Sequence, residues 1–447
     1  MAAQPLIHGP QTPAELLLRD VHVLDPRSGL DERRDVRVRE GAIAEIAAAG
    51  TLEPISGEEL LEGRGHHLLP AFFDPHVHFR TPGQEHKEDL DSGTRAAAAG
   101  GYGGVLAMPN TDPVLDSAPL LRSLRDTAAR EARISIGFVP AITRGLAGEQ
   151  LTEMAELRQE GAVGFTDDGR PVQSAGMLRK ALQYQRLCGG VIALHEEDPT
   201  LSRGGCMHEG AVSAALGIGG IPTVSESTMV ARDAELAGYE DARVHFQHLS
   251  CLASVEAVAR AKAHGWRVST EVSPHHLLLT DEDVRSMDTR MKMNPPLATE
   301  ADRKALVDGL RSGTIDCVAT DHAPHAREEK EVPFEQAPMG TTGLETAFAA
   351  LYSGLVLPGT IELSLLVERL TAGAGLFELP TPQIAPEQTA NLTLVDLDVE
   401  WIAGERGWES RSENCCFAGR KLQGRVLLTV SDGAVVYRER AFSVVGA

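Results

Sequence analysis

The stretch AVGFTDDGRPVQSAGMLRKALQYQRLCGGVIALHEE, residues 162–197, joins two kinds of pattern. A short apolar run leads into a polar loop, a segment with the apolar spacing of a helix follows, and a second apolar run completes the unit. This order predicts a strand, a helix and another strand, which is the repeating unit of an α/β fold.

The same unit recurs along the chain, with helix-like segments such as SESTMVARDAELAGY (225–239) between the apolar runs. The eight runs are FFDPHVH (72–78), GGVLAM (103–108), ISIGFVPA (134–141), AVGFTDD (162–168), VIALHEE (191–197), ARVHFQHLS (242–250), WRVSTEVSPHH (266–276) and DCVATDHAPH (316–325). Eight strands alternating with helices predict a (β/α)8 barrel of the TIM type, whose catalytic groups lie at the C-terminal ends of the strands.

Both ends of the chain show a different pattern, in which apolar residues alternate with polar ones. Examples are ELLLRDVHVLD (15–25) and RDVRVREGAIAEIAA (34–48) near the start, and ANLTLVDLD (390–398) and GRVLLTVSDGAVVYRER (424–440) near the end. Alternation of this kind predicts short strands. We therefore expect one small β-sandwich domain built from residues 1–68 and 381–447, beside a barrel formed by residues 69–380.

Composition excludes several classes of function. The 42 Lys and Arg residues against 64 Asp and Glu give a net charge of −22, which repels nucleic acid. No run reaches the roughly 18 apolar residues of a membrane span, and no basic and apolar leader opens the chain, so we expect a cytoplasmic protein without a membrane partner. The six cysteines show no CxxC spacing and are expected to be reduced. An anionic substrate would need a local arginine or a metal ion.

Residues that bind metals follow several of the predicted strands. His76 and His78 are two residues apart in DPHVHFR and therefore face the same side of a strand. Taken alone, such a pair is more often two buried core histidines. However, His195, His248 and Asp321 each close another apolar run at the same end of the predicted barrel. Nitrogen and oxygen ligands of this kind suit Zn²⁺, so the sequence predicts a metal centre.

Other conspicuous residues have simpler interpretations. His245 is three residues before His248, so strand alternation predicts that it faces the helical layer and has a structural role. For His275 and His276, packing or a hydrogen bond behind the site is favoured over metal ligation. The glycines of AGGYGGV (99–105) lack the order of a phosphate-binding loop, which favours a tight turn from helix to strand.

Taken together, these motifs resemble the cyclic amidohydrolases and, within them, the long, class I dihydroorotases. The family's order and spacing are followed from about residue 60 to 430 by DPHVHFRTPGQEHKED, AMPNTDPV, FTDDG, ALHEED, QHLS, EVSPHHLLLT, KMNPPL, ATDHAPH and NCCFAGRKLQGRV. Ala71, Thr81, Cys415 and Cys416 depart from the residues usual in the family. None of these departures removes a ligand, and the two adjacent cysteines are expected to be buried thiols.

The resemblance implies a zinc centre. It assigns His76, His78 and Asp321 to one ion, and His195 and His248 to another, with Asp168 between the two. Many amidohydrolases carry a carboxylated lysine at the position of Asp168, and an aspartate reaches less far. Two zinc ions per chain are expected, and the shorter reach of Asp168 makes one ion the alternative. Asp167 is expected to serve as a turn residue or to support the site from behind.

The resemblance also implies roles in catalysis and substrate binding. Asp321 would take a proton from the attacking water and deliver it to the departing ring nitrogen. Arg80, Asn110 and His325 would bind the substrate carboxylate. The remaining substrate contacts that the family implies are His78, Asn294, and the backbone of Met339 and Gly340.

The activity implied is zinc-dependent, reversible hydrolysis of dihydroorotate to N-carbamoyl-L-aspartate in pyrimidine synthesis. A homodimer and an association with aspartate carbamoyltransferase are expected with it. Hydantoinase, dihydropyrimidinase and allantoinase activities are the alternatives within the superfamily, but those enzymes normally carry the bridging lysine. A scaffold subunit without activity is a further alternative, and the retained ligands argue against it.

Overall fold

In the computed structural model, which describes residues 4–440 and 442, strands open and close the chain and βα units lie between them. The strands are β1 Leu16–Asp25, β2 Leu30–Arg39, β3 Ala42–Ala48, β4 Glu59–Glu62, β5 His67–Pro70, β6 Phe72–Val77, β7 Tyr102–Ala107, β8 Ser135–Phe138, β9 Gly164–Thr166, β10 Val191–Leu194, β11 Met207–His208, β12 Gly220–Ile221, β13 Val244–Phe246, β14 Val268–Val272, β15 Cys317–Val318, β16 Leu392–Ile402, β17 Lys421–Ser431 and β18 Ala434–Arg438.

The helices lie mainly between the barrel strands. They are α1 Leu90–Ala99, α2 Ala118–Glu131, α3 Met154–Gln159, α4 Ala175–Cys188, α5 Pro199–Ser202, α6 Ala211–Leu216, α7 Val224–Glu240, α8 Leu252–Ala263, α9 Pro274–Leu278, α10 Glu300–Ser312, α11 Arg327–Lys330, α12 Ala347–Leu351, α13 Leu363–Thr371 and α14 Gly373–Leu376. Within the described ranges, none of them has the length and hydropathy needed to cross a membrane.

The eight apolar runs form a closed parallel barrel. Strands β6, β7 and β8 are bonded in that order, and β9, β10, β13, β14 and β15 form a second bonded series. Two contacts join the series. The amide of Val163 donates to the carbonyl of Phe138 at 2.9 Å, and the amide of His78 donates to the carbonyl of His322 at 2.9 Å. The predicted (β/α)8 barrel is confirmed.

Strands from both chain ends form the flanking β layer. They are bonded in the order β18-β17-β16-β5-β1-β2-β3, and β4 also pairs with β1. The two ends meet where β16 runs antiparallel to β5, with Leu392 opposite Pro70. Val36 from one end and Leu394 from the other belong to the same buried cluster. The prediction that both ends build one β layer is confirmed, and the layer is one continuous sheet branched at β1.

Helix α4 shows how local sequence fixes a barrel helix. Ser174 precedes it and accepts a hydrogen bond from the amide of Met177 at 3.3 Å, which caps the first turn. Leu178, Ala181, Leu182 and Gln185 are buried, and their spacing places them on one face. The predicted helix in SAGMLRKALQYQRL is therefore confirmed, and so is the one in SESTMVARDAELAGY, which forms most of α7.

The glycines between α1 and β7 make a tight turn, as predicted. Gly101 has a φ of 90°, in the left-handed region that favours glycine. A Cβ at Gly100 would overlap the carbonyl oxygen of Leu344. The close approach of this backbone explains the glycine without any ligand.

Replacing Gly100 with Ala should lower the free energy of unfolding by about 1–3 kcal/mol, because the methyl group forces the Leu344 backbone to move. Urea unfolding followed by circular dichroism measures the change. Gly176→Ala in α4 is the matched control, since its Cβ would lie 3.7 Å from the nearest atom. That change should leave stability equal or raise it by up to about 1 kcal/mol. Equal effects of the two substitutions would contradict the steric explanation.

Candidate active site

Four histidines surround the carboxylate of Asp168 at the C-terminal end of the barrel. Its Oδ1 lies 3.5 Å from His76 Nε2, 3.7 Å from His195 Nδ1 and 3.7 Å from His248 Nε2. Its Oδ2 lies 3.5 Å from His78 Nε2. All five side chains are buried. The structure thus brings histidines from three other strand ends around one aspartate.

Asp321 completes the cluster on the side of β6, the first strand of the barrel. Its Oδ1 lies 2.9 Å from His78 Nε2 and 3.6 Å from His76 Nε2. Burial acts to raise the pKa of Asp321, but His76 and His78 outweigh it and hold the pKa well below its usual value. The side chain is therefore a carboxylate at neutral pH.

The donor atoms have the chemistry and spacing of a metal site. Those of His76, His78 and Asp321 lie within 4.8 Å of one another, and so do those of His76, Asp168 and His248. A tetrahedral zinc ion holds its ligand atoms about 3.3–3.4 Å apart. His76 Nε2 is buried and has no hydrogen-bond partner among the described residues, although it faces two carboxylates. A cation between these groups would satisfy that nitrogen.

Asp167 and Asp168 are adjacent in sequence but have different surroundings. Asp167 accepts a hydrogen bond from the amide of Thr143 at 2.9 Å and another from the Thr143 hydroxyl. Burial raises the pKa of Asp167 to about 6. Its carboxylate fixes the loop after β9, whereas Asp168 faces the histidines. Asp167 therefore supports the loop, as expected, and metal binding by Asp168 stays a prediction.

Oxygen atoms behind the cluster orient three of the histidine rings. The contacts are His76 Nδ1 to Glu271 Oε1 at 2.7 Å, His78 Nδ1 to Asn110 Oδ1 at 2.8 Å and His195 Nε2 to Glu197 Oε2 at 3.2 Å. Each of these oxygens can accept the proton of the outer ring nitrogen. The inner nitrogen then keeps a lone pair that points into the cluster, as metal ligation requires.

The predicted orientation of His245 is wrong. Its side chain is fully buried and its Nε2 lies 3.0 Å from Glu271 Oε2, whose other oxygen contacts His76. His245 thus lies behind the candidate metal ligands and not in the helical layer. Strand β13 ends at Phe246, and His248 has a φ of 31°. The alternation of a strand therefore does not extend from His245 to His248.

His275 and His276 are both buried on the short helix α9. His276 Nε2 donates to the carbonyl of Pro295 at 2.9 Å, and its Nδ1 accepts from the Ser273 hydroxyl at 2.7 Å. The rings of the two histidines are 4.5 Å apart. Burial lowers the pKa of His276 to about 4, so its ring is neutral at physiological pH. For His276 the contacts are the packing and hydrogen bonding that the sequence favoured.

Replacing Glu271 with Gln should weaken metal binding by about 10–100-fold, because it removes the charged acceptor that holds His76 Nδ1. Competition with a chromogenic zinc chelator measures the affinity. His245 contacts the other oxygen of Glu271, so His245→Asn tests the support of His76 one residue further away. Its effect on zinc affinity should be smaller. Unchanged zinc affinity in Glu271→Gln would show that His76 does not need this acceptor.

One cavity of about 230 Å³ opens above the cluster. Its lining includes the candidate metal ligands His78, Asp168, His195, His248 and Asp321, and the predicted substrate contacts Arg80, Asn110, Asn294, His325, Met339 and Gly340. The structure therefore brings the predicted substrate contacts to the same place as the candidate metal ligands.

The Arg80 guanidinium is the cationic group of this cavity. The side chain is buried, and its Nε donates to the carbonyl of Pro324 at 3.1 Å. To the described residues the guanidinium forms no other hydrogen bond, so four N–H groups are left for a ligand. His325 lies nearby and donates from Nε2 to the carbonyl of Met339 at 2.8 Å. Burial and the charge of Arg80 lower the pKa of His325 to about 3, which keeps its ring neutral.

The sequence of this chain has close relatives. A family model described as dihydro-orotase-like matches residues 65–257. A dihydroorotase from Pelotomaculum thermopropionicum is 42% identical over 427 residues, covering 95% of this chain and 99% of that protein. A dihydroorotase from Syntrophotalea carbinolica is 42% identical over 425 residues, with the same coverage. This chain belongs to the dihydroorotase family.

Solved structures show the same fold for this member of the dihydroorotase family. The L-hydantoinase from Arthrobacter aurescens superposes with a TM-score of 0.83 at 24% identity, covering 95% of this chain and 96% of that one. The dihydropyrimidinase from Brevibacillus agri gives a TM-score of 0.81 at 23% identity, covering 95% of each chain. At these identities the likeness concerns the barrel and the flanking sheet.

Two carboxylates of the dihydroorotase-family site were not predicted from the sequence. Glu271 orients His76, and Glu197 orients His195 and accepts from the Asn294 amide at 2.7 Å. A weak signal exists for each. Glu271 interrupts the apolar run of β14, and Glu197 is two residues after a candidate ligand. Neither signal distinguishes these residues from ordinary polar residues at a strand end.

Proposed function

We propose that this chain is a zinc-dependent dihydroorotase that interconverts (S)-dihydroorotate and N-carbamoyl-L-aspartate in pyrimidine synthesis. One observation carries the proposal beyond family membership. A single cavity contains the histidine and aspartate cluster together with the Arg80 guanidinium, which has free N–H groups. A cyclic amide that carries a carboxylate requires both features.

In this proposal, His76, His78 and Asp321 would hold one zinc ion, His195 and His248 would hold another, and Asp168 would lie between the two sets of ligands. A ring nitrogen of each of the four histidines lies within 3.7 Å of Asp168, with Oδ1 facing His76, His195 and His248 and Oδ2 facing His78, which supports a position between the two ligand sets. Bound zinc would lower the pKa of a water molecule and polarise the carbonyl that is attacked.

The residues of the chain bind the substrate and move its protons. Arg80 binds the carboxylate through two parallel N–H groups, which fixes the ring relative to the cluster. Asn294 and the backbone of Met339 and Gly340, which line the same cavity, would contact the ring amides. Asp321 takes the proton from the attacking water and transfers it to the ring nitrogen as the amide bond breaks.

The proposal extends to the assembly and its location. We expect a homodimer in the cytoplasm that associates with aspartate carbamoyltransferase, the enzyme that makes N-carbamoyl-L-aspartate. Size-exclusion chromatography with light scattering, alone and with that enzyme, measures both associations.

The deciding experiment measures dihydroorotate formation from N-carbamoyl-L-aspartate by the purified chain, with zinc per chain determined on the same sample. We expect turnover that a chelator abolishes and Zn²⁺ restores. Hydantoin and dihydrouracil, which lack the carboxylate, serve as control substrates and should react poorly. Equal rates for the controls would favour a hydantoinase, and bound zinc without turnover of any of these compounds would contradict the proposal.

A further inference from the structure

A second cavity, of about 440 Å³, lies outside the candidate active site. It is bordered by α1, α12, the connection from β16 to β17 and the ends of β17 and β18, where the barrel meets the flanking sheet. Among the described residues, none lines both this cavity and the cavity above the candidate metal ligands. Its volume is in the range of small-molecule sites, which often lie between domains.

Arg425 has the least exposed side chain of the arginines that line this cavity. Its side chain is only 16% exposed, and its guanidinium lies 5.2 Å from the centre of the Trp401 ring. The nearest carboxylate oxygens belong to Glu405 and Glu439, and both are 3.8 Å away. That distance is too long for a hydrogen bond. This nearly buried, stacked guanidinium therefore forms long ion pairs with two glutamates but donates no hydrogen bond to the described residues.

The aromatic residues beside Arg425 are also fixed in place. Trp401 Nε1 donates to the carbonyl of Gly424 at 2.9 Å. Trp408 packs so closely on Gly404 that a Cβ there would lie 2.8 Å from its ring. Tyr437 also lines the cavity. These residues present flat, apolar surfaces next to unused N–H donors.

The charge of the lining differs from that of the whole chain. The charged residues of the lining are Arg95, Arg406, Arg425, Arg438, Arg440, Glu345, Glu405, Glu409 and Glu439. Arginines thus outnumber glutamates here, although the chain carries a net charge of −22. Arg438 Nη1 is also buried and has no hydrogen-bond partner within the described part of the chain. An anion would satisfy donors that the protein itself leaves open.

We propose that this cavity binds a small oxyanion carried on a flat ring, such as an aromatic carboxylate or a nucleoside monophosphate. Arg425 binds the anion through paired N–H groups, as a planar guanidinium does with carboxylate or phosphate. The ring lies against the aromatic side chains of Trp408 and Tyr437. This site is separate from the proposed dihydroorotase site and requires neither its metal nor its substrate.

Tryptophan fluorescence provides a direct test. The chain contains three tryptophans, of which Trp401 and Trp408 line the cavity and Trp266 stacks on His264 elsewhere. In a Trp266→Phe background, emission reports on the cavity. The probes are adenosine monophosphate and benzoate, with adenosine and inorganic phosphate as matched controls. We expect saturable quenching by at least one ring-bearing anion, and at least tenfold weaker binding of both controls.

Variants locate the site. Arg425→Gln should raise the Kd of the bound probe by about 10–100-fold, the effect of losing charged hydrogen bonds. Arg440→Gln, at an exposed residue of the same lining, should raise it less and tests the site even if the first variant misfolds. Arg311→Gln, an exposed change on α10, should leave the Kd unchanged.

The outcomes separate the alternatives. Quenching by adenosine monophosphate alone identifies a nucleotide site, and quenching by benzoate alone identifies a carboxylate site. Absence of saturation by either probe would overturn the proposal, as would an unchanged Kd in folded Arg425→Gln. Phosphate binding as tightly as adenosine monophosphate would show an adventitious ion only. Dihydroorotase turnover of the same samples is measured separately, so its failure does not affect this test.

Discussion

Replacing Asp321 with Asn should lower kcat for dihydroorotate hydrolysis by about 10³-fold or more. The change removes the carboxylate that contacts His78 at 2.9 Å and that is assigned the proton transfer. General acid–base catalysis alone contributes about 10²–10⁴-fold. Rates in both directions, with zinc per chain measured on the same sample, separate loss of proton transfer from loss of metal.

Asp167→Asn provides the matched control, because Asp167 is also a buried aspartate at a strand end but contacts Thr143 instead of the cluster. The Asp167→Asn enzyme should retain most of its kcat. Its free energy of unfolding should fall, because the contacts of Asp167 with Thr143 are weakened. An Asp321→Asn enzyme with normal kcat would remove the role assigned to that residue. A larger loss of kcat in Asp167→Asn than in Asp321→Asn would contradict the assignment of Asp167 to the loop and of its neighbour Asp168 to the cluster.

Replacing Arg80 with Met should lower kcat/KM for dihydroorotate by about 10²–10³-fold, because two charge-assisted hydrogen bonds to the substrate carboxylate are lost. The methionine fills a similar apolar volume, which limits structural change. Arg80→Lys keeps the charge without the planar pair of donors and should give an intermediate loss. Steady-state kinetics over a range of substrate concentrations measures each effect.

Dihydrouracil, which lacks the carboxylate, is the control substrate for Arg80. Its low kcat/KM should change little in Arg80→Met, so the preference for dihydroorotate should fall. A similar loss for both substrates would mean that Arg80 supports the shape of the site and does not recognise the carboxylate.

The barrel and the grouping of the candidate ligands were predictable because their signals are local in sequence. Each strand is a short apolar run, and each candidate ligand lies at the end of one of these runs or just after it. Once the strands are arranged in a barrel, His195, His248 and Asp321 must lie at the same end. The direction of His245 was not predictable in this way, because it depends on where β13 ends and on the positive φ of His248.

Contacts between distant parts of the chain could also not be predicted from the sequence patterns. Glu271 and His76 are 195 residues apart, and nothing in either local segment indicates that they touch. The same holds for the cavity around Arg425, which combines residues from α1, α12 and the C-terminal strands. Such arrangements follow from the packing of complete elements and not from the periodicity of one of them.

The pairing of β5 with β16 affects how the chain folds during synthesis. About 320 residues separate Pro70 from its partner Leu392. At roughly 5–20 residues per second, the ribosome needs tens of seconds to make that stretch. During this time, one edge of β5 lacks the neighbour it has in the finished sheet. Nascent chains stalled before residue 392 should therefore be more sensitive to protease near β5 than chains stalled after residue 440.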